Sequence, residues 1–405
     1  MYSSRISRRI ALIKPSPTIA MAERATQLRK EGRSIISFAL GEPDFDTPAF
    51  VTRAAIAAIE QGQTRYTATA GTPALRQAIA NKLLRENGLT YAPNEIIVTC
   101  GAKHAIFNAL AVTINPGDEV IVPAPYWVSY PDMAIACDGV PVILPCNEHS
   151  GFTIDAAELE RVITPSTKWL ILNAPSNPTG ATYSVDQLRA VAQVLIRHPQ
   201  VLLMVDDIYE HIRFDLAPGH IAQHILQIEP ALRHRTAVIN GVSKTYAMTG
   251  WRIGYAAAPE DIVKAMDVLQ SQSTSNASSI SQAAALAALN GSQDVVRQWV
   301  QVYQERLDAA VLALSAIPGL SVRRPGGAFY VFVNCEGLIG RRTPKGQTLN
   351  SDTDVALFFL EFAGVAVLAG SAFGLSPYLR LSIATEIKII LAGCTQIAQA
   401  VSTLT

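Results

Sequence analysis

The chain has 405 residues, 49% of them hydrophobic, enough to bury a large core and to form two domains. Lysine plus arginine equals aspartate plus glutamate at 33 each, so no net field draws the protein to nucleic acid or anionic lipid. No run approaches the roughly 18 apolar residues of a membrane span, so a charged small molecule, recognised locally, is the expected partner.

In chain order, the first segment carries Arg5, Arg8, Arg9 and Lys14 without an acid, but its apolar run, 10–13, is too short for a targeting peptide. Cys100, Cys137, Cys146, Cys335 and Cys394 are scattered, with no CxxC pair and no Cys/His cluster at metal spacing. A cytoplasmic protein without a metal site is expected. Helical patterns follow at 18–31, 48–62 and 73–87, the last two opened by a proline, as suits a first turn.

From about 94 to 259, short β-branched runs alternate with longer amphipathic ones, the pattern of an α/β fold around a mostly parallel sheet. Seven buried strands are predicted, at 96–100, 119–124, 140–145, 168–173, 201–206, 236–240 and 254–258. A long helical stretch at 293–317 then precedes strand-like runs at 328–334, 364–369 and 379–384, with a surface loop expected at 336–350. The expected division is an N-terminal segment at 1–47 packing with a small domain, a large domain at 48–290, and the rest of a smaller α+β domain at 291–405.

The most informative segment is GVSKTYAMTGWRIG, 241–254, directly after a predicted strand. Lys244 supplies an amine able to form an imine with an aldehyde, flanked by the Ser243 hydroxyl and by the Arg252 guanidinium, which suits a phosphate dianion. A lone loop lysine reads as a solvated surface group, but this one has company. GEPDFDTP at 41–48, RYTATAG at 65–71, GAKHA at 101–105, PYWVSY at 125–130, NPTG at 177–180 and DDIYE at 206–210 accompany it.

In these motifs and their order, from about residue 6 to 384, the chain resembles the class I pyridoxal-phosphate-dependent aminotransferases, in particular the bacterial aspartate aminotransferase subgroup. The resemblance implies a fold-type I PLP-transferase, with a large seven-stranded, mostly parallel sheet domain and a smaller α+β domain. It implies pyridoxal 5'-phosphate as cofactor, pyridoxamine 5'-phosphate as its intermediate form, amino acids and 2-oxo acids as substrates, and a homodimer with shared active sites.

Roles carried over by resemblance fall on single positions. Lys244 becomes the Schiff-base lysine and proton shuttle, and Asp206 the partner of the pyridinium nitrogen. Asp206 ends a buried strand, where a carboxylate needs a cationic partner, whereas Asp207 should face elsewhere because strand side chains alternate. Tyr209 and Asn177 match the donors to the ring 3-oxygen, although Asn177 before a proline also reads as a turn residue. Gly101, Ala102 and Lys103 open a helix at 104–113 and so aim free N–H groups at an anion. With Ser243, Arg252 and, from the neighbouring subunit, Tyr66, they match the phosphate cup.

Trp127 reads equally as a core aromatic or as the ring that stacks on the cofactor. Arg380 matches the fork for the substrate α-carboxylate, and Gly41 the backbone that closes over it. For a distal carboxylate the resemblance offers Lys103, with Lys14 as a further candidate that otherwise reads as a surface group; residues 271–282 hold no basic residue. Departures from the subgroup are Gly241, Ala277, Ile383 and the LAG of 368–370, none of which touches Lys244, Asp206, Arg252 or Arg380.

Aspartate:2-oxoglutarate amino transfer by a ping-pong mechanism is the leading expectation. Prephenate or aromatic amino transfer on the same scaffold is the alternative, because an ammonium discriminates less sharply than a guanidinium fork. A carbon–sulfur lyase ranks lower. An effector-binding regulator ranks lower again, since the residues before Gly41 leave no room for a winged helix-turn-helix.

Overall fold

The structure, a computed structural model, describes residues 5–13, 17–217 and 220–405. Its strands are β1 (Ile36–Ser37), β2 (Ile96–Thr99), β3 (Glu119–Ala124), β4 (Val140–Pro145), β5 (Thr167–Asn173), β6 (Leu202–Asp206), β7 (Thr236–Gly241), β8 (Gly254–Ala257), β9 (Ser321–Val322), β10 (Tyr330–Asn334), β11 (Val365–Ala366), β12 (Leu368–Ala369) and β13 (Tyr378–Ser382). The first helices are α1 (Pro17–Lys30), α2 (Ala49–Glu60), α3 (Pro73–Asn87) and α4 (Ala102–Thr113).

The large sheet runs β2-β8-β7-β6-β5-β3-β4, with only β8 antiparallel to its neighbours. This is the α/β, mostly parallel architecture expected. Strand sequences such as TKWLILN in β5 are apolar on both faces because helices cover both. Along β5, Leu170 and Leu172 join α3 and the helix Val185–Arg197 in one core, while Trp169 and Ile171 join α4 in the other. At about 1.5–3 kcal/mol for each fully buried aliphatic side chain, these two layers hold the sheet in place.

α3 shows how local chemistry sets an element's ends. Thr72 caps its first turn by accepting from the Leu75 N–H at 3.3 Å, Pro73 fits the first turn, and Gly88 closes it in the left-handed region at φ 63°.

A second, four-stranded antiparallel sheet runs β12-β13-β10-β9, and β1 pairs in parallel with β11. The helices Asp294–Ser315 and Ile387–Val401 pack on it through Leu307, Leu314, Ile390 and Ile397.

Several expectations need correction. β4 is an edge strand, not a buried one, with Val140 47% and Ile143 39% exposed. Pro48 caps α2 rather than entering its first turn. The run at 364–369 splits between two sheets, β11 pairing with β1 and β12 with β13. The stretch at 336–350 is no simple surface loop, because Leu338, Thr343 and Leu349 are buried and Arg342 exchanges hydrogen bonds with Thr405.

Candidate active site

Parallel strands all end at one edge of the sheet, and the loops beyond those ends form a cavity of about 340 Å³. Asn173 and Asn177 come from the end of β5 and the loop beyond it, Asp206 from the end of β6, Ser243 and Lys244 from the turn after β7. Ala102 and Lys103 follow β2, and Trp127 and Tyr130 follow β3. β8 runs the other way, so its beginning reaches the same edge and brings Arg252. The small sheet supplies Tyr330 from β10 and Arg380 from β13, and the 41–48 segment supplies Gly41.

Backbone contact at the cradle is close. A Cβ on Gly254 would collide with the backbone of Gly101 and Ala102, and one on Gly101 with the Arg252 guanidinium. Gly101 has φ 91° and leads directly into α4, whose first N–H groups therefore open toward the cavity. Arg252 itself holds φ 56°, donating Nη1 to the Thr249 carbonyl at 2.8 Å and Nη2 to that of Cys100 at 3.3 Å.

Lys244 Nζ donates to the Gly41 carbonyl at 2.6 Å. Burial pushes its pKa down to about 8; Glu42 opposes the shift, while Arg252, Arg380 and Lys103 reinforce it. Asp206 moves the other way. Burial raises its carboxyl to about 6, although the Tyr130 hydroxyl donates to Oδ2 at 2.6 Å and the Ile208 N–H to Oδ1 at 3.2 Å. A buried amine and a buried carboxyl displaced toward each other suit proton transfer near neutral pH.

Arg380 is buried, with Nη1 donating to Asn177 Oδ1 at 2.9 Å and Nη2 to the Ala39 carbonyl at 2.6 Å. Its guanidinium lies 4.5 Å from the Tyr330 ring centre and 4.9 Å from that of Phe373. Both partners are neutral oxygens rather than carboxylates, and its buried Nε has no partner among the described residues. Its planar guanidinium suits bidentate pairing with a carboxylate. Tyr209 and Tyr330 share a hydrogen bond at 2.7 Å beneath it, and a Cβ on Gly41 would meet the Tyr330 hydroxyl. Lys103 Nζ stands 4.8 Å over the Trp127 ring, and burial lowers its pKa.

Gly41, Ala102, Lys103, Trp127, Asn177, Asp206, Tyr209, Ser243, Lys244, Arg252 and Arg380 therefore meet around one cavity, with Gly101 in its wall. Tyr66 does not join them: it is 91% exposed and lines a separate groove beside Ser279 and Leu286. Lys14 lies outside the described residues. Asp207 turns away and sits 3.2 Å from His224 Nε2, as strand alternation requires.

Sequence reasoning missed Tyr130, Tyr330, Asn173 and Thr249. Tyr130 follows Trp127 by three residues within the PYWVSY motif; its N–H donates to the Trp127 carbonyl at 3.0 Å and the two rings meet edge to face at 5.3 Å. Tyr330 carries no local signal; only the meeting of the two sheets brings it here.

Comparison with known proteins agrees with this geometry. The family model described as aminotransferase class I and II matches residues 33–391. The chain belongs to that family. An aspartate aminotransferase of Rhizobium meliloti (strain 1021) is 51% identical over 378 residues, covering 93% of this chain and 92% of the relative. An aspartate/prephenate aminotransferase of Cereibacter sphaeroides is 48% identical over 396 residues, 97% of each chain. The crystal structure of the aspartate aminotransferase from Rhizobium meliloti superposes with a TM-score of 0.96 at 49% identity, covering 100% of both chains. The fold presents the cavity at the carboxyl edge of its large sheet, and among the described residues no helix is long and apolar enough to cross a membrane.

Proposed function

We propose that this aminotransferase moves the amino group of aspartate to a 2-oxo acid, 2-oxoglutarate first, by a ping-pong mechanism with pyridoxal 5'-phosphate held at Lys244. The observation that carries the reading is a single cavity joining a lysine lowered to about 8, an aspartate raised to about 6, and two guanidiniums, Arg252 and Arg380, whose hydrogen bonds go to neutral oxygens. The donor set fits the cofactor. Gly101, Ala102, Ser243 and Arg252 suit its phosphate, with Lys103 at the rim, and Asp206 suits a ring nitrogen.

When bound, pyridoxal phosphate supplies an aldehyde for the amine and a ring that takes up the electron pair left as the substrate α-carbon loses its proton. Lys244 Nζ removes that proton and returns it as general base and acid, a task its lowered pKa suits. Asp206 would keep a proton on the ring nitrogen of the bound cofactor, its orientation fixed by the Tyr130 hydroxyl. Tyr209 Oη and Asn177 Nδ2 would donate to the ring oxygen of the bound cofactor, while Asn177 Oδ1, which accepts from Arg380, would steer that guanidinium onto the substrate α-carboxylate. Trp127 would stack on the ring of the bound cofactor, and the Gly41 backbone would lie over the substrate carboxylate.

Lys103, with Lys14 as a further candidate, answers the distal carboxylate of aspartate. The relative from Cereibacter sphaeroides, named for both aspartate and prephenate, supports prephenate as a second substrate. The exposure of Tyr66 supports a homodimer in which it completes the partner's phosphate cup. A division near 47 and 290 into a cofactor-binding and a smaller domain accords with the two sheets, and five free thiols accord with a cytoplasmic enzyme.

The test is absorbance spectroscopy of the cofactor-loaded protein with aspartate, glutamate, phenylalanine and arogenate in turn. The proposal expects a shift with aspartate and its reversal by 2-oxoglutarate. No shift with any amino acid would refute it, and release of pyruvate and ammonia without an oxo acid would make the protein a lyase.

A further inference from the structure

The site's central groups sit on two segments, 206–210 with Asp206 and Tyr209, and 241–248 with Lys244. On the α3 side of the sheet both enter one buried polar cluster that the proposed chemistry does not use. Glu210, directly after Tyr209 and only 5% exposed, accepts from Asn87 Nδ2 at 2.7 Å and Asn240 Nδ2 at 2.5 Å, and contacts Lys82 Nζ. Lys82 also donates to Asn87 Oδ1 at 2.8 Å and lies 3.5 Å from Glu86 Oε2. The two carboxylates thus share a cation supplied by the chain itself.

His211 links this cluster to the lysine turn. Its Nε2 is 3.0 Å from Glu86 Oε2, and its Nδ1 is 3.2 Å from the hydroxyl of Thr245, the residue after Lys244. A carboxylate can only accept, so Nε2 carries a proton toward Glu86, and Nδ1 shares a hydrogen bond with the Thr245 hydroxyl. Burial would raise the Glu86 carboxyl, but the His211 hydrogen bond and the Lys82 charge outweigh it and hold its pKa down to about 2. Glu86 is therefore a permanent acceptor that fixes the ring. Thr245 is buried at 2% exposure, which leaves the imidazole as its hydroxyl's partner. None of these side chains lines the cavity.

We propose that Glu86, His211 and Thr245 form a positioning relay, anchored by the Lys82–Glu210 pair, that fixes the Lys244 turn relative to the segment carrying Asp206 and Tyr209. The inference rests on Lys244 being the reactive lysine of the proposed function. Rotation of the turn moves the Lys244 Cα, and a misplacement near 1 Å at a reacting group costs about 10²-fold in rate.

Thr245→Val removes the hydroxyl while keeping the shape, and Thr245→Ser keeps the hydroxyl. Two properties of the full-length chain are compared: kcat and KM for amino transfer when cofactor-loaded, and, without added cofactor, the pH midpoint for acylation of Lys244, read by peptide mass spectrometry. The charged groups facing Lys244, namely Glu42, Lys103, Asp206, Arg252 and Arg380, are the same in every variant, so a shifted midpoint reports geometry.

Thr245→Val is expected to lower kcat about tenfold with KM changed less than about twofold, and to shift the acylation midpoint by about half a pH unit or more; Thr245→Ser restores both. Should Thr245→Val not fold, His211→Gln carries the same expectations. The relay is overturned if Thr245→Val keeps wild-type kcat and midpoint and loses only thermal stability, or if Val and Ser variants behave alike. Wild-type protein inactive in amino transfer would instead refute the proposed function, and the midpoint would still report on the relay.

Discussion

Lys82 and Arg380 are both buried cations, at 1% and 3% exposure, but they stand in opposite states. Lys82, on the α3 side of the large sheet, touches the Glu210 carboxylate, lies near Glu86 and donates to Asn87. Arg380, on the cavity side, has only amide and carbonyl oxygens, with Nε unpartnered. Taking an unpaired cation out of water costs several kcal/mol. The chain meets that cost for Lys82 with its own carboxylates, whereas Arg380 meets only neutral oxygens and two aromatic rings, and its burial lowers its pKa. One region pairs its cation with carboxylates of the chain; the other offers a guanidinium that suits a carboxylate ligand.

The cavity side of this contrast breaks most severely at Lys244. Lys244→Ala should reduce the amino-transfer rate by about 10⁴-fold or more, with little change in unfolding temperature, as steady-state rates and calorimetry would show. The contrast itself is sharpened by exchanging one cation on each side. Arg380→Lys loses the bidentate fork, and kcat/KM should fall about 10²- to 10³-fold without loss of stability. Lys82→Met strands two carboxylates, and chemical denaturation should register a loss of about 3–5 kcal/mol.

A pH dependence distinguishes the two regions next. Asp206 is raised from 3.8 to about 6, so the folded protein binds that proton more tightly than the unfolded chain does. Its stabilising contribution is present below pH 3.8 and is lost as pH rises through about 6, on the order of 3 kcal/mol. Denaturation of protein stripped of cofactor should show this fall, and Asp206→Asn should remove it. Glu86, lowered from 4.5 to about 2, has the opposite sign: its contribution is present above pH 4.5 and lost as pH falls through about 2. The smallest effect is expected at Lys103. Lys103→Ala should lower kcat/KM for aspartate about tenfold more than for phenylalanine, as expected for an ammonium at the cavity rim reading a distal carboxylate; equal losses would remove it from substrate selection.

Much of the cavity side was legible because parallel strands announce themselves as apolar runs and their ends carry the motifs. The strands ending at Asp206 and leading into Ser243 and Lys244 were placed within a residue or so, and their loops share an edge by topology alone. Two-residue strands such as β1 and β9 were not legible, since pairing partners far along the chain define them rather than their own composition. The same limit hid Tyr330, which reaches Tyr209 across 121 positions of sequence. Glu210 was visible in its motif, but its partner Lys82 lies 128 positions away on a helix whose pattern marks that residue as an ordinary surface lysine.

The most direct test of the central claim is to load the full-length protein with pyridoxal phosphate, reduce it with borohydride, and map the modified peptide by mass spectrometry. The cofactor mass should appear on the peptide containing Lys244, and adding aspartate before reduction should prevent it. Labelling at another lysine, or labelling at Lys244 that aspartate does not diminish, would contradict it.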